Sequence, residues 1–279
     1  MKFQTAEDIG SGWLAGFSSL QEKPDSALTL TIANPLMEDV GVRKEIEQTL
    51  VDLHAAGNAN FATVQSMDTV ASTIFPVDFY QAVGSAAHFF EQVALAEQVR
   101  SHSRRKRWGT YVGRLTAYPT PDGPANQLGV AIERLTLPKA WSSVIEIPVD
   151  APGDASLALM RDGEHDRLLR SGPCLAHVSV TRTDDKLSMI ALYRHQTYYS
   201  RAYGNFLGLA RLLAFLAYES GLGVGELTIV TGHAEAEGTE RQALLDRVRA
   251  AAGTVTPVET LARPFGADSS DLELPNSSR

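Results

Sequence analysis

The chain has 279 residues, of which 44% are hydrophobic and 21% are charged, and its formal net charge is −8. This composition is typical of a folded globular protein that can bury a substantial core, and it excludes disorder throughout. The acidic balance argues against a broad affinity for nucleic acid or for an anionic membrane, both of which require positive charge, so a small ligand is the favoured partner.

The N-terminal half alternates strand-like and helix-like segments. Residues 1–17 (MKFQTAEDIGSGWLAGF) carry early acidic residues and no unbroken apolar run, so they do not predict a signal peptide, and glycines 10 and 12 indicate a turn. A strand is predicted at 27–35 and an amphipathic helix at 42–57. A second helix is predicted at 127–135 and a strand at 142–149.

The C-terminal half contains an apparent hairpin followed by a very apolar helix. Residues 175–182 and 186–194 alternate in hydrophobicity around Thr-Asp-Asp, which is typical of a β-hairpin. Residues 206–221 are apolar on nearly every face, which predicts a helix buried at the centre of the fold. A strand at 225–235 and a helix at 238–253 follow.

These elements predict an α/β (α+β) protein with a mixed sheet packed by helices, including a central buried helix near 206–220. The absence of repeats and of a Gly/Ser linker favours a single domain over residues 1–264, with a frayed tail at 265–279. The single cysteine cannot form an internal disulfide, and the most apolar stretch is too short to span a membrane and is interrupted by Arg211. We therefore expect a cytoplasmic protein.

The single cysteine, Cys174, follows a Gly-Pro pair and precedes the predicted hairpin. Free cysteines are often merely small buried residues at the start of a strand. The alternative is a thiolate nucleophile whose reactivity depends on nearby cationic groups. The residues alone leave both interpretations open.

The order of motifs around Cys174 resembles the catalytic core of the thymidylate synthase family. In that family a Pro-Cys nucleophile precedes a hairpin, a "YQRS" phosphate arginine, an "FN" asparagine that opens a buried helix, and a "GD" strand that ends in a histidine. Here the corresponding stretches are PC, YRHQ, GNFLG and GELTIVTGH, and the separations from Cys174 to Arg194 and to Asn205 match without a gap. Upstream, residues 108–135 resemble the family's "YG…TPDG…DQ" block.

The resemblance implies a role for each matching residue. Cys174 would add to C6 of a pyrimidine, and Tyr111 would help to relay the C5 proton. Arg194 would bind the substrate phosphate and keep the sulfur ionised. Asn205 would pair with the N3 and O4 edge of the base, which favours a uridine-type nucleotide, because an aspartate in this position accompanies cytosine. His233 would lie near the sugar or the base.

Other positions depart from the family pattern. Ser142 and Ser143 replace the paired arginines that cross the family's dimer, and Thr197 replaces a folate-facing aspartate. His195 replaces the serine after the phosphate arginine, and Glu235 replaces the tyrosine two residues after the sugar histidine. We assign both to substrate binding. Substitute phosphate ligands could come from Arg161, Arg167 and Arg170 or from the basic run 104–107.

The resemblance therefore implies an enzyme that transfers a methyl or hydroxymethyl group to C5 of a pyrimidine nucleotide through a covalent Cys174 adduct. It implies 5,10-methylenetetrahydrofolate as the one-carbon donor and a homodimer formed sheet to sheet. Two alternatives stay open: a non-catalytic nucleotide-binding or scaffold protein on the same fold, and a nucleotide hydrolase. Each motif taken alone is also compatible with a structural role: Tyr111 with packing, Asn205 with an N-cap and His233 with an ordinary strand end.

Overall fold

The computed structural model describes residues 1–21, 25–58, 64–101, 110–137, 145–150, 173–237 and 241–258. Within these ranges the strands are β1 (Lys2–Ala6), β2 (Asp25–Ile32), β3 (Met37–Asp39), β4 (Tyr118–Thr120), β5 (Gly123–Ala125), β6 (Ile145–Pro148), β7 (Leu175–Thr183), β8 (Lys186–Tyr193), β9 (Gln196–Thr197), β10 (Gly223–Glu235) and β11 (Val255–Pro257). The helices are α1 (Ile9–Ser19), α2 (Val40–Ala55), α3 (Met67–Ser72), α4 (Val77–Val83), α5 (Ala86–Ser101), α6 (Tyr111–Thr116), α7 (Gln127–Leu135), α8 (Tyr203–Glu219) and α9 (Arg241–Ala251).

A mixed sheet forms the centre of the described structure. Its strand order is β1-β2-β10-β8-β7-β6, and β9 extends the β8 side of β10. The pairs β1–β2, β10–β8 and β10–β9 are parallel, whereas β2–β10, β7–β8 and β6–β7 are antiparallel. The predicted hairpin is β7–β8, and Asp184 adopts a φ of 54° in its turn. The expected mixed α/β architecture is confirmed.

The two faces of this sheet differ in burial. Along β8, Leu187, Met189, Ala191 and Tyr193 are buried, while Ile190 and Leu192 are 48% and 42% exposed. This alternation follows from the two-residue period of a strand, which places successive side chains on opposite faces. One face therefore packs into the hydrophobic core and the other keeps apolar surface accessible.

The predicted central helix is α8, which is buried from Tyr203 to Ala217. It continues directly from a π-helical turn at Tyr198–Ala202. Gly204 and Gly208 lie one helical turn apart against α3, and a β-carbon on them would lie 2.6 Å from Val70 Cβ and 2.7 Å from the carbonyl oxygen of Ala71. Glycine at these two positions allows the helices to approach closely, so the buried-helix prediction is confirmed with an earlier start.

Arg211 places a positive charge in the buried part of α8, and a network of ion pairs surrounds it. Arg211 is 1% exposed and its Nη2 donates to Asp68 Oδ1 at 2.5 Å. Asp68 also pairs with Arg43, which in turn contacts Glu38 at 3.4 Å, and the Tyr203 hydroxyl donates to Glu38 at 3.2 Å. Burial of an arginine requires such pairing, because an isolated charge in the core is costly.

Two sequence interpretations are wrong. Glycines 10 and 12 lie inside α1 rather than in a turn, because Asp8 caps that helix by accepting from Gly10 N at 2.8 Å and Ser11 N at 3.0 Å. Asn205 is not an N-cap, since α8 begins at Tyr203.

The tail 265–279 lies outside the described residues. None of the helices in the described ranges is long and apolar enough to cross a membrane.

Candidate active site

Cys174 is half-buried immediately before β7, and its backbone is held from two sides. Its N–H donates to the Tyr111 hydroxyl at 3.2 Å, and its carbonyl accepts from the N–H of Arg194 at 2.9 Å. The cysteine therefore sits at the junction of β7, the end of β8 and the start of α6. The backbone of the cysteine is fixed, while the residue as a whole keeps part of its surface accessible.

Tyr111 reaches Cys174 from the first residue of α6. Thr110 caps that helix by accepting from Gly113 N at 3.0 Å, and its hydroxyl donates to Glu97 at 2.7 Å. The Tyr111 hydroxyl also accepts a long hydrogen bond from Leu175 N at 3.5 Å. Burial, reinforced by the charge of Cys174, raises the pKa of Tyr111 to about 12. The phenol is therefore protonated at neutral pH and can donate to a ligand.

Arg194 is also adjacent to Cys174, but its observed contact is with the backbone. Its Nε donates to the carbonyl of Pro173 at 2.9 Å, and the residue as a whole is exposed. This hydrogen bond joins Arg194 to the residue before the cysteine. The structure thus places Tyr111 and Arg194 in contact with the backbone at Pro173–Cys174.

Arg201 is a neighbour that the sequence analysis missed. It lies in the π-helical turn, and its guanidinium donates to Gln65. Burial lowers the pKa of Arg201, whereas its proximity to Tyr111, Glu237 and Cys174 acts in the opposite direction. The only hint in the sequence was its position four residues before Asn205, a spacing that places two residues on one helix face.

Tyr193 was also missed. It is fully buried, and its hydroxyl has no hydrogen-bond partner among the residues that the structure describes. Burial raises the pKa of Tyr193 well above its ordinary value, with further contributions from Tyr111 and Cys174, which are close by. Its register explains this proximity, because Tyr193 pairs with Leu175, the residue after the cysteine. Buried hydroxyls without partners are rare in folded proteins, and an ordered water inside the fold is the usual way in which such a group is satisfied.

Asn205 lies in the first turn of α8 and is only 7% exposed. No hydrogen bond joins its amide to another residue of the described ranges, yet neither amide atom is fully enclosed. A side-chain amide can both donate and accept hydrogen bonds, so an unpaired amide can bind a ligand through its NH₂ group and its carbonyl oxygen. This state is compatible with base recognition and differs from that of a structural asparagine.

His195, His233 and Glu235 form a separate cluster next to Arg194. His195 Nε2 lies 3.0 Å from Glu235 Oε2, and the two imidazole rings stack with centroids 5.2 Å apart. One ligand atom from each of the three residues lies within 4.8 Å of the others. The structure therefore brings these three predicted residues to one another.

The N-terminal side of the π-helical turn is held by Glu237, just beyond β10. Its carboxylate accepts from the N–H groups of Tyr199 and Ser200 at 3.0 and 2.8 Å, and from the Ser200 hydroxyl at 2.6 Å. A negative charge at the N-terminal end of a helix is stabilised by the orientation of the backbone N–H groups. Glu237 thereby fixes the turn that carries Arg201.

The substitute phosphate ligands predicted at 104–107 and at Arg161, Arg167 and Arg170, and the departures Ser142 and Ser143, lie outside the described residues. Thr197 carries no carboxylate, and its hydroxyl oxygen is 3.2 Å from that of Ser200. The described residues therefore do not reproduce the folate-facing acid that the resemblance implies.

Comparison with known proteins adds no assignment. No protein-family model matches the chain, and no curated protein matches its sequence.

Proposed function

We propose that this protein is a thymidylate-synthase-like enzyme that activates a pyrimidine nucleotide through a covalent Cys174 adduct and transfers a one-carbon unit to C5. The observation that carries the proposal is the hydrogen bond from the backbone N–H of the half-buried Cys174 to the Tyr111 hydroxyl, with the partly buried Arg201 close enough to both residues to interact electrostatically. A nucleophile, a protonated phenol and a nearby cation are the groups that conjugate addition to a pyrimidine requires.

In the proposed reaction the Cys174 thiolate forms an S–C bond to C6, and the electron pair of the C5–C6 double bond moves toward C5 and O4. C5 then attacks the electrophilic carbon of a one-carbon donor, and the bond between that carbon and the donor breaks with its electron pair remaining on the departing donor. Loss of the C5 proton to a base and expulsion of the thiolate restore the double bond. Tyr111 donates a hydrogen bond or relays the proton through water, and Arg201 balances negative charge near the sulfur.

Asn205 supports a uridine-type base. Its amide can donate to O4 and accept from N3–H simultaneously, and its burial without a partner would cost about 1 to 3 kcal/mol unless a ligand or water satisfies it. Arg194, which donates to the residue before Cys174, and Arg201, which interacts electrostatically with Cys174, are the candidates for the substrate phosphate.

The donor is a separate question. Methylenetetrahydrofolate is the donor implied by the resemblance, but Thr197 does not supply the expected acid. We therefore assign no step to residues that would bind a folate and leave the choice of donor to the experiment below.

A homodimer belongs to the same proposal. Phe3, Thr29, Val230 and Leu192 are register neighbours across four adjacent strands, so they form one row on the accessible face of the sheet. Phe3 is 72% and Leu192 is 42% exposed. Apolar surface on a sheet face favours burial against a second copy of the chain.

The test is intact-protein mass spectrometry after incubation with 5-fluorouridine and 5-fluorodeoxyuridine monophosphates, with and without methylenetetrahydrofolate. We expect an adduct with one nucleotide in the native protein and none in Cys174→Ala, which lacks the only thiol. A folate-containing adduct would identify the donor, and the preferred nucleotide would identify the sugar.

Two further variants sharpen the result. Asn205→Asp should shift nucleotide binding from uridine to cytidine type, because an ionised carboxylate accepts but does not donate. Arg201→Ala should weaken binding of the nucleotide more than binding of the nucleoside. Nucleotide binding without any adduct, unchanged in Cys174→Ala, would instead support the non-catalytic or hydrolase alternatives.

A further inference from the structure

The cluster of His195, His233 and Glu235 follows from the pairing of β9 and β10. Thr231 pairs with Tyr193, and Ala234 pairs with Gln196, so His233 stands opposite His195 in the parallel register. The cluster is thus an arrangement across two strands rather than a chance contact between flexible surface side chains.

The donor set is that of a transition-metal site. Two imidazoles and one carboxylate are a common three-residue ligand set for Zn²⁺, whereas Mg²⁺ and Ca²⁺ prefer oxygen ligands alone. Tetrahedral ligands at about 2.0–2.1 Å from Zn²⁺ lie about 3.4 Å apart. The ligand atoms here already lie within 4.8 Å of one another, and rotation of the stacked imidazole rings until both nitrogens face one ion would complete the geometry.

The supporting backbone is rigid while the cluster itself remains accessible. The Thr231 hydroxyl donates to Gln196 Oε1 at 3.2 Å, and both residues are buried, at 1% and 2% exposure. This buried hydrogen bond joins β10 to β9 next to the histidines. His233 is exposed, and the side chains of His195 and Glu235 are 37% and 42% exposed, so an ion can enter from solvent.

We propose that His195, His233 and Glu235 bind one Zn²⁺ ion at the edge of the sheet next to Cys174. Three protein ligands leave a coordination position for water or for an oxygen of a bound molecule. The Arg194 N–H donates to the carbonyl of Cys174 and His195 is the next residue, so the proposed site begins one residue beyond the backbone contact with Cys174. This inference does not depend on one-carbon transfer.

The experiment is calorimetric titration of ZnCl₂ into the full chain, after any affinity tag has been removed and bound metal has been stripped with a chelator. We expect one equivalent to bind and the melting temperature to rise with bound metal. His233→Ala and the isosteric Glu235→Gln should each weaken binding at least about tenfold, since even loss of an outer-shell partner has an effect of that size.

The matched control is His177→Ala. His177 pairs with Glu146 on β6 and β7, but no third histidine, cysteine or acidic residue within the described ranges completes a ligand set there. Binding should therefore be unchanged in this variant. Failure of the wild-type chain to bind Zn²⁺, or wild-type affinity in both His233→Ala and Glu235→Gln, would overturn the proposal.

Discussion

Replacing Tyr111 by Phe removes a single oxygen that accepts hydrogen bonds from the backbone N–H groups of Cys174 and Leu175. The adjacent Tyr193 offers a matched control. It is also a buried tyrosine next to Cys174, but its hydroxyl has no partner within the described part of the chain. The two Tyr→Phe changes are chemically identical and differ only in whether a hydrogen bond is lost.

The expected changes in the free energy of unfolding follow from the lengths of these hydrogen bonds. The 3.2 Å bond from Cys174 N is at the long end of the normal range, and the 3.5 Å bond from Leu175 N is weak. Buried donors left without an acceptor cost about 1 to 3 kcal/mol, so Tyr111→Phe should lower the free energy of unfolding by about 1–2 kcal/mol. Tyr193→Phe removes an unsatisfied hydroxyl and should leave stability unchanged or raise it by up to about 1 kcal/mol.

Urea unfolding followed by circular dichroism measures both variants against the wild type. The expected difference of about 2 kcal/mol corresponds to a roughly 30-fold change in the unfolding equilibrium constant. Equal destabilisation of the two variants, or a larger loss in Tyr193→Phe, would refute the hydrogen-bonding argument. Equal losses would mean that the two hydroxyls have comparable partners, and a larger loss in Tyr193→Phe would mean that the Tyr193 hydroxyl has the stronger partner.

Two further predictions concern the core and the sheet face. Burial alone would raise the pKa of Asp68, but its hydrogen bond from Arg211 and the charges of Arg43 and Arg211 hold it below 3.8. Asp68→Ala should therefore lower the free energy of unfolding by about 1–2 kcal/mol at pH 7, because the partial exposure of Asp68 limits the cost. Urea unfolding at a series of pH values should show this difference disappearing as the pH falls through the folded-state pKa of Asp68, which lies below 3.8. If the proposed homodimer forms through this sheet face, Leu192→Glu should convert it to monomer in sedimentation experiments, whereas Val51→Glu on α2, at a site that is 51% rather than 42% exposed, should not.

The sequence predicted the elements whose pattern is determined locally. The hairpin β7–β8 and the buried helix α8 follow from periodicity of the apolar residues, which directly reflects burial. Helix α1 was missed because two glycines weaken a helical pattern, and what stabilises this helix is the Asp8 cap together with close packing. A β-carbon on Gly10 would lie 2.6 Å from Asp39 Cβ, so the glycine is required by a contact distant in sequence.

The residues of the candidate site also divide into those that the sequence identified and one that it did not. Cys174, Tyr111, Arg194 and Asn205 could be named from the order and spacing of motifs. Arg201 could not, because its proximity to the thiol depends on a π-helical turn that interrupts the path from β9 to α8 and has no sequence signature.

The stretch from Tyr193 to Gln196 borders both Cys174 and the proposed Zn²⁺ site. It contains two buried polar atoms without a partner in the described ranges, the Tyr193 hydroxyl and Gln196 Nε2, on either side of Arg194 and His195. Buried side-chain groups of this kind normally find a partner, and leaving them unpaired costs stability. Cys174 pairs with the first half of this stretch, and the proposed Zn²⁺ ligand His195 belongs to the second half. Because both unpaired atoms are enclosed, an ordered water held inside the fold would satisfy them, whereas a nucleotide or a metal ion would meet the accessible side chains of Arg194 and His195.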